Sequence, residues 1–426
     1  MSSWQKNKKG YKHTPIGWIP EDWDLVKAGF MLKNSRVKGN PSLTTYSVTM
    51  NNGLVQRNEL DRKMQPDLPA SENLKVNPGD IAYNMMRAWQ GAIAISTKEG
   101  MVSPAYVVLK PIKEAFSNYY FHLLRSYHYQ YLITSYSYGI TGDRLRLYYK
   151  DFASIPVPLP PLPEQKKIAE ILSAWDKAIE QTKRLIEAKK KLKQGLMQKL
   201  LTGQMRFPEF GKPSGNHKLP KGWQMIDVND CGIIESGGTP KTIKEEYWNG
   251  NIPWLTPSEI SKLKGRYIFS TERNITESGL INSSAKLLPK DSLVISTRAT
   301  IGEIAINKVP ISVNQGFKAL LPANSFSLDF LFYKLSSKKN TFIKFANGST
   351  FNEISKHEFS KIKLEIPPQN EQNKIGLFFS NIDKDLEFLS QKLSLIQAQR
   401  KGLLQKLLSG QVRVPVDSSK ARAKKK

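Results

Sequence analysis

Three residue patterns in this 426-residue chain have the types and spacing to do chemistry of their own. Glu164-Gln165-Lys166 fits the Glu-x-Lys element of metal-dependent nucleases, but its repeat counterpart reads Glu371-Gln372-Asn373 and no upstream carboxylate offers a second ligand. The triplet therefore reads as structural. The five histidines (His13, His122, His128, His217 and His357) are scattered without zinc spacing. The single cysteine, Cys231, supplies neither a disulfide framework nor a thiolate cluster. The third pattern, "SGGTP" at 236–240, has two glycines but lacks the strand–Gly-loop–helix context of a cofactor site. An adenine methyltransferase would need an Asn-Pro-Pro-aromatic loop around a flipped base, and a translocating ATPase a Gly-Lys-Ser/Thr loop. The sequence contains neither. The expectation is a chain with no catalytic residues, no metal and no cofactor of its own.

The chemistry that remains is polyanion binding. Lys and Arg number 64 against 37 Asp and Glu, a formal charge of +27, and such a field attracts nucleic acid first. Base edges are read mostly by Arg, Lys, Asn and Gln on exposed loops, while further Lys and Arg grip phosphates. The first-half candidates are Arg57, Arg62, Lys63, Arg87, Gln90, Arg144 and Arg146. Those of the second half are Lys241, Lys244, Arg266, Arg298, Thr300, Asn352 and Lys356. Arg87 and Arg298 occupy matching repeat positions, so phosphate contact or a structural ion pair suits them better than base readout. "GDRLR" (142–146) is the better base-reading stretch, a solvated turn being the alternative. The run Lys189-Lys190-Lys191 with Lys193 reads as a solvated helix face, or as a contact to DNA phosphates or partner subunits.

These residues must be carried by elements, and the elements are duplicated. From Glu164 to Pro208 the sequence aligns without a gap to Glu371 through Pro415, with 18 identities in 45 positions. Each copy reads as one long helix. Pro163 and Glu164 suit a first turn, Asn370 is a candidate N-cap, and Gly203 and Gly410 suit left-handed C-terminal caps. About 39 residues lie between these signals, or ~58 Å of helix. The second copy places Ile375, Phe379, Ile382, Leu386, Leu389, Leu393, Ile396, Arg400, Leu403 and Leu407 at alternating three–four spacing, a coiled-coil seam. The first has Ile168, Leu172, Trp175, Ile179, Ile186, Leu196 and Leu200, interrupted by Thr182, Lys189 and Lys193, with Leu185 and Leu192 alongside. Each helix is the natural partner of the other, and two-fold pairing makes them antiparallel, with the domains at opposite ends of a rod.

The stretches before the helices are related more faintly. Residues 78–111 share 11 identities in 34 with 289–322, and "PEDW" at Pro20 to Trp23 matches "PKGW" at Pro220 to Trp223. Short β-rich runs ("AYVVLK", "LVISTR", "KIKLEI") alternate with turns and with helical stretches at 118–133 and 328–346. The fold class is therefore α+β: two mixed α/β domains separated by two long helices that form an intramolecular antiparallel coiled coil, with a pseudo-two-fold repeat. The expected divisions are an N-terminal segment (1–19), a first domain (20–159), a first helix (160–206) and a linker (207–219). A second domain (220–365), a second helix (366–413) and a basic tail (414–426), expected to be disordered, follow. No apolar run reaches membrane-spanning length, and "MSSWQKNKKG" has no signal-peptide core, which suits the cytoplasm.

The motifs "PLPPLPEQKKIAEILSAWDKAIE…GLMQKLLTGQMRFP" and "IPPQNEQNKI…GLLQKLLSGQVRVP", with the opening Gly222-Trp223, resemble the specificity subunits of type I restriction–modification enzymes. The resemblance covers nearly the whole chain. It implies a non-catalytic, cytoplasmic subunit of a bacterium or archaeon, whose two target-recognition domains each read half of a split site in double-stranded DNA. It implies helices that set the spacer and dock two modification subunits, which are adenine-N6 methyltransferases. Restriction subunits, acting as motor and nuclease, can join them. S-adenosylmethionine, ATP and Mg would belong to those partners. The alternative is a stand-alone two-headed DNA-binding regulator.

Overall fold

The computed structural model describes residues 9–50, 53–60, 68–213, 218–347 and 353–415. The chain forms two compact units, Met1–Gln181 with Leu393–Lys426, and Thr182–Lys392. Each unit thus holds one mixed domain, the first half of the long helix that follows it and the last half of the other long helix. The helix halves belong there because they complete the cores. Ile168, Leu172, Leu404 and Leu407 pack with Trp23, Leu109 and Tyr120 in the first unit. Leu200, Leu201, Ile375 and Phe379 pack with Trp223, Leu293 and Phe330 in the second.

Both domains are built on the same strand plan. In the first, Tyr106–Pro111 lies between Leu32–Ser35 and Ile81–Asn84, and Ile93–Ile95 continues that antiparallel sheet. In the second, Phe317–Pro322 lies between Gly232–Ser236 and Leu293–Ser296, followed by Ile304–Asn307 and Tyr267–Ile268. A short parallel pair recurs as well: Met101 opposite Thr45, and Trp254 opposite Ser312. The helical stretches expected at 118–133 and 328–346 are each two helices: Ser117–Leu124 and Tyr127–Ser135, then Leu328–Ser336 and Lys339–Asn347. The first break falls where the Ser126 hydroxyl accepts the Tyr129 N–H and starts a new helix.

The long helices are Leu162–Leu200 and Gln369–Leu408. Asn370 lies inside the first turn instead of capping it, because the Pro368 carbonyl already accepts the Glu371 and Gln372 N–H groups, as Pro161 does for Glu164 and Gln165. Gly203 and Gly410 end the helices with φ of 73° and 68°. Each also lies so close to a proline that an added Cβ would come within 2.4 Å of Pro220 or Pro20, so handedness and space both require glycine.

Within each unit the two helix halves run antiparallel. In the first, Glu164 meets Arg413 and Asp176 meets Arg400. In the second, Lys189 meets Asp385, Lys193 meets Asp383 and Arg206 meets Glu371. The seam forms the less exposed stripe. Ile168, Leu172, Ile186, Leu200, Ile375, Phe379 and Leu407 are buried, whereas Trp175, Ile179, Leu196, Ile382, Leu386, Leu389, Leu393, Ile396 and Leu403 are half-buried. Leu185 and Leu192 lie outside it and are exposed. The lysines that break the first copy's pattern pair across the seam with aspartates of the second helix. Lys189 and Lys193 are therefore not a free solvated face, and Lys190 pairs with Glu187 one turn back.

One clamp is built twice from repeated residues. The indole N–H of Trp23 donates to Glu164 at 3.0 Å, and Arg413 holds the same carboxylate at 2.8 and 3.0 Å. In the second unit Trp223 donates to Glu371 at 3.1 Å and Arg206 binds it at 2.9 and 2.7 Å. These contacts fasten the start of each domain to the start of one helix and the end of the other. Among the described residues no helix is long and apolar enough to cross a membrane.

Candidate nucleic-acid interface

The matching arginines stand on matching turns. Arg87 follows the strand Ile81–Asn84 and opens a turn that closes at Gly91 with φ of 90°; Arg298 follows Leu293–Ser296, and its turn closes at Gly302 with φ of 82°. Both arginines are exposed. Between arginine and glycine the turns differ. Ala88–Gln90 is a turn of 3-10 helix, whereas Ala299 adopts the left-handed region at φ of 62°. Arg87 donates to Gln90 Oε1 at 2.9 Å. Thr300 is tied by its hydroxyl to that of Ser296 at 3.1 Å.

In the first unit Arg144 and Arg146 are exposed, and main-chain bonds between Arg146 and Tyr138 close the loop that carries Arg144. Ile140 near its tip is fully exposed, and Tyr127, Tyr131 and Tyr138 also face solvent. Arg57 is half-buried in the turn Arg57–Glu59. Arg62 and Lys63 lie outside the described residues, as does Asn352 of the second unit.

In the second unit Lys241, Lys244 and Lys356 are exposed. Lys244 lies 3.5 Å from Glu246 and 5.2 Å from the centre of the Tyr247 ring. Arg266 requires a correction. Only 8% exposed, it pairs with Asp329 at 3.0 Å, donates to Ser380 at 2.8 Å and Tyr333 at 3.2 Å, and stacks on Tyr267. Its guanidinium holds the second domain to the second helix and cannot reach a base. Tyr333 donates to Asp383 at 2.6 Å, and burial followed by that carboxylate pushes its pKa well up. The corresponding place in the first unit holds His122, 3.3 Å from Ser173 and 3.7 Å from Asp176, with Arg400 at 3.5 Å. Burial lowers the imidazole pKa to about 4, with Arg400 and Arg125 adding to the fall and Asp176 opposing it.

Sequence reasoning missed Gln315, Thr239 and Arg273, all on the second domain. Arg273 is exposed and lies 3.9 Å above the Trp248 ring. Thr239 donates to Gln315 Oε1. The two glycines of "SGGTP" were the available signal, and it concerned packing rather than cofactor chemistry. Among the described residues no group of three or more His, Cys, Asp or Glu is placed to hold a metal.

Two mixed α/β domains, each followed by a long helix, make up a duplicated chain. The family model for the type I restriction modification DNA specificity domain matches residues 24–190 and again 220–398, well over half of the chain, and the chain belongs to that family. The MjaIX specificity subunit of Methanocaldococcus jannaschii is 35% identical over 172 residues, a segment spanning 40% of each protein. The MjaVIII specificity subunit of the same organism is 25% identical over 417 residues, 93% of this chain and 94% of that one. The solved type I restriction–modification S subunit from M. genitalium superposes with a TM-score of 0.58 at 18% identity, covering 93% of this chain and 97% of its own. A chain from a structural study of type I R-M complex assembly gives a TM-score of 0.56 at 19% identity. These two structures share the fold.

Proposed function

We propose that this chain is the non-catalytic specificity subunit of a type I restriction–modification system. Its two domains read the unlike halves of a bipartite site in double-stranded DNA. Its helices set the unread spacer and dock two adenine-N6 methyltransferase subunits, which restriction subunits acting as motor and nuclease can join. S-adenosylmethionine, ATP and Mg belong to those partners, and the assembly works in the cytoplasm of a bacterium or archaeon. The observation that carries this reading is the contrast between a duplicated frame and unlike contents: the same strands, clamps and arginine positions present two different turns. A shared frame suits a shared polymer, and different turns suit different sequences.

The test is methylome sequencing of a host carrying this chain with its modification subunit, against one with the chain deleted. A split motif, methylated on adenine in each half and lost on deletion, supports the reading. Exchange of residues 20–155 should then alter one half only. No dependence of adenine methylation on the chain would remove the proposal and favour a stand-alone DNA-binding regulator.

A further inference from the structure

The two glycines of "SGGTP" let one loop lie against another at distances no side chain permits. A Cβ on Gly237 would come 2.0 Å from the Asn314 carbonyl oxygen, and one on Gly238 2.4 Å from the Ala285 nitrogen. The chain is held there by Gly237 N–H donating to Phe317 at 3.2 Å and Gly238 N–H to Val313 at 2.9 Å. Thr239 is thereby placed against Asn314 and Gln315, and a polar relay fixes the orientation of each group. The Gly316 N–H donates to Asn314 Oδ1 at 2.9 Å, which turns Asn314 Nδ2 to donate to Thr239 Oγ1 at 3.0 Å. The threonine hydroxyl, with that lone pair taken, donates its proton to Gln315 Oε1. Gln315 is exposed, and among the described residues its Nε2 donates to no protein atom.

The first domain reaches the same chemical state by another route. Arg87 has donors only, so the atom of Gln90 it meets at 2.9 Å must be Oε1. Gln90 is exposed and likewise keeps Nε2 free among the described residues. Its repeat counterpart is Ile301, half-buried, and the counterpart of Gln315 is Pro104. The two glutamines therefore stand on different loops of a common frame.

We propose that Gln90 and Gln315 are specificity-determining residues, one in each domain, each anchored through Oε1 so that its Nε2 donates to a base edge. This rests on the DNA-reading role proposed above. In the major groove a glutamine with both amide atoms free pairs with adenine, accepting from N6 and donating to N7. Here Oε1 already accepts one bond from the protein, which holds the amide so that Nε2 leads, with one lone pair left on the oxygen. Donation from Nε2 requires an acceptor on the base edge, which guanine (O6 and N7), adenine (N7) and thymine (O4) present and cytosine does not. Arg87 and Arg298, common to both frames, bind phosphate beside these readers.

The test uses the full chain assembled with its modification subunits, selecting from a pool of randomised DNA duplexes whose bound fraction is sequenced. Gln90→Ala should make one base pair degenerate in one half of the selected motif, and Gln315→Ala one base pair in the other half. In the wild-type motif both positions should carry guanine, adenine or thymine, and not cytosine, toward the reader. Gln315→Glu and Gln90→Glu keep the shape, so their folding is not at issue. They should turn the preference toward cytosine or adenine, which offer donors. Arg298→Ala should weaken binding to every sequence and lower the salt slope by about 1, leaving the motif intact, whereas Arg87→Ala should do the same and also loosen the base pair read by Gln90, whose Oε1 it holds. Unchanged motifs in the glutamine variants, or a relaxed position that held cytosine toward the reader, would overturn the inference while leaving DNA recognition standing. A wild-type complex that selects no motif would instead overturn the recognition reading itself, and this inference with it.

Discussion

Arg206 and Arg413 perform one task under different insulation. Glu371 is 1% exposed and its partner Arg206 5%, whereas Arg413, beside an equally buried Glu164, is 44% exposed and also reaches Asp22 at 2.7 Å. Removing one partner of a buried pair leaves an uncompensated charge and costs about 3–5 kcal/mol. Arg206→Ala should therefore lower the unfolding free energy of the second unit, measured by urea titration, by an amount in that range, and Arg413→Ala should cost the first unit clearly less. His122 gives the first unit an acid sensitivity of its own. Its pKa is about 4 in the fold because of burial, against an ordinary 6.5, so the unfolded chain binds more protons between those values and stability falls as pH drops through that window. The fall should reach at most about 3 kcal/mol. His122→Gln should flatten it, as measured by thermal unfolding from pH 7 to pH 4. Glu365 behaves similarly lower down: burial would raise its carboxyl, yet Lys334 and Lys338 outweigh this and hold it at about 2. At this scale the sequence was least legible. Arg266 and Arg298 are alike as letters, and only the fold makes one a stacked brace and leaves the other exposed.

The helices were the most legible elements, because a three–four apolar spacing sustained over several turns has few other solutions. Their starts were less so, since the Pro368 carbonyl takes the Glu371 and Gln372 N–H groups and leaves no place for a side-chain cap at Asn370. The lysine interruptions were opaque for a related reason. A charge on a seam reads as a defect until its partner is known, and here Lys193 finds Asp383 at 2.5 Å while the quasi-equivalent Arg400 finds Asp176 at 2.9 Å. Such polar pairs fix register where apolar contacts alone tolerate sliding. A double-mutant cycle on Lys193 and Asp383, both only partly exposed, should give a coupling near 1 kcal/mol. Replacing both by leucine should retain helix content while loosening hydrogen-exchange protection of the second unit's helix halves. Zero coupling in the cycle would assign the register to the apolar positions instead.

The duplicated plan was visible in the sequence, but the division into units was not. A linear reading assigns each helix to its own segment, whereas the cores claim each helix by halves. A chain stopped after residue 392 tests the difference. It retains every residue of the second unit, so the Arg206–Glu371 clamp should persist. The first unit should lose amide protection along Ile81–Asn84, far away in sequence, because Leu404, Leu407 and Arg413 are gone.

The same division bears on the order in which the protein is made. A nascent chain generally folds its N-terminal portion first, yet here the N-terminal unit lacks part of its core until Leu404, Leu407 and Val414 have been synthesised. The second unit, continuous from Thr182 to Lys392, has all its parts earlier. On the ribosome, the later-encoded head should close before the earlier one. The first should wait, with Glu164 and Trp23 in place, for an arginine that emerges 249 residues after that glutamate.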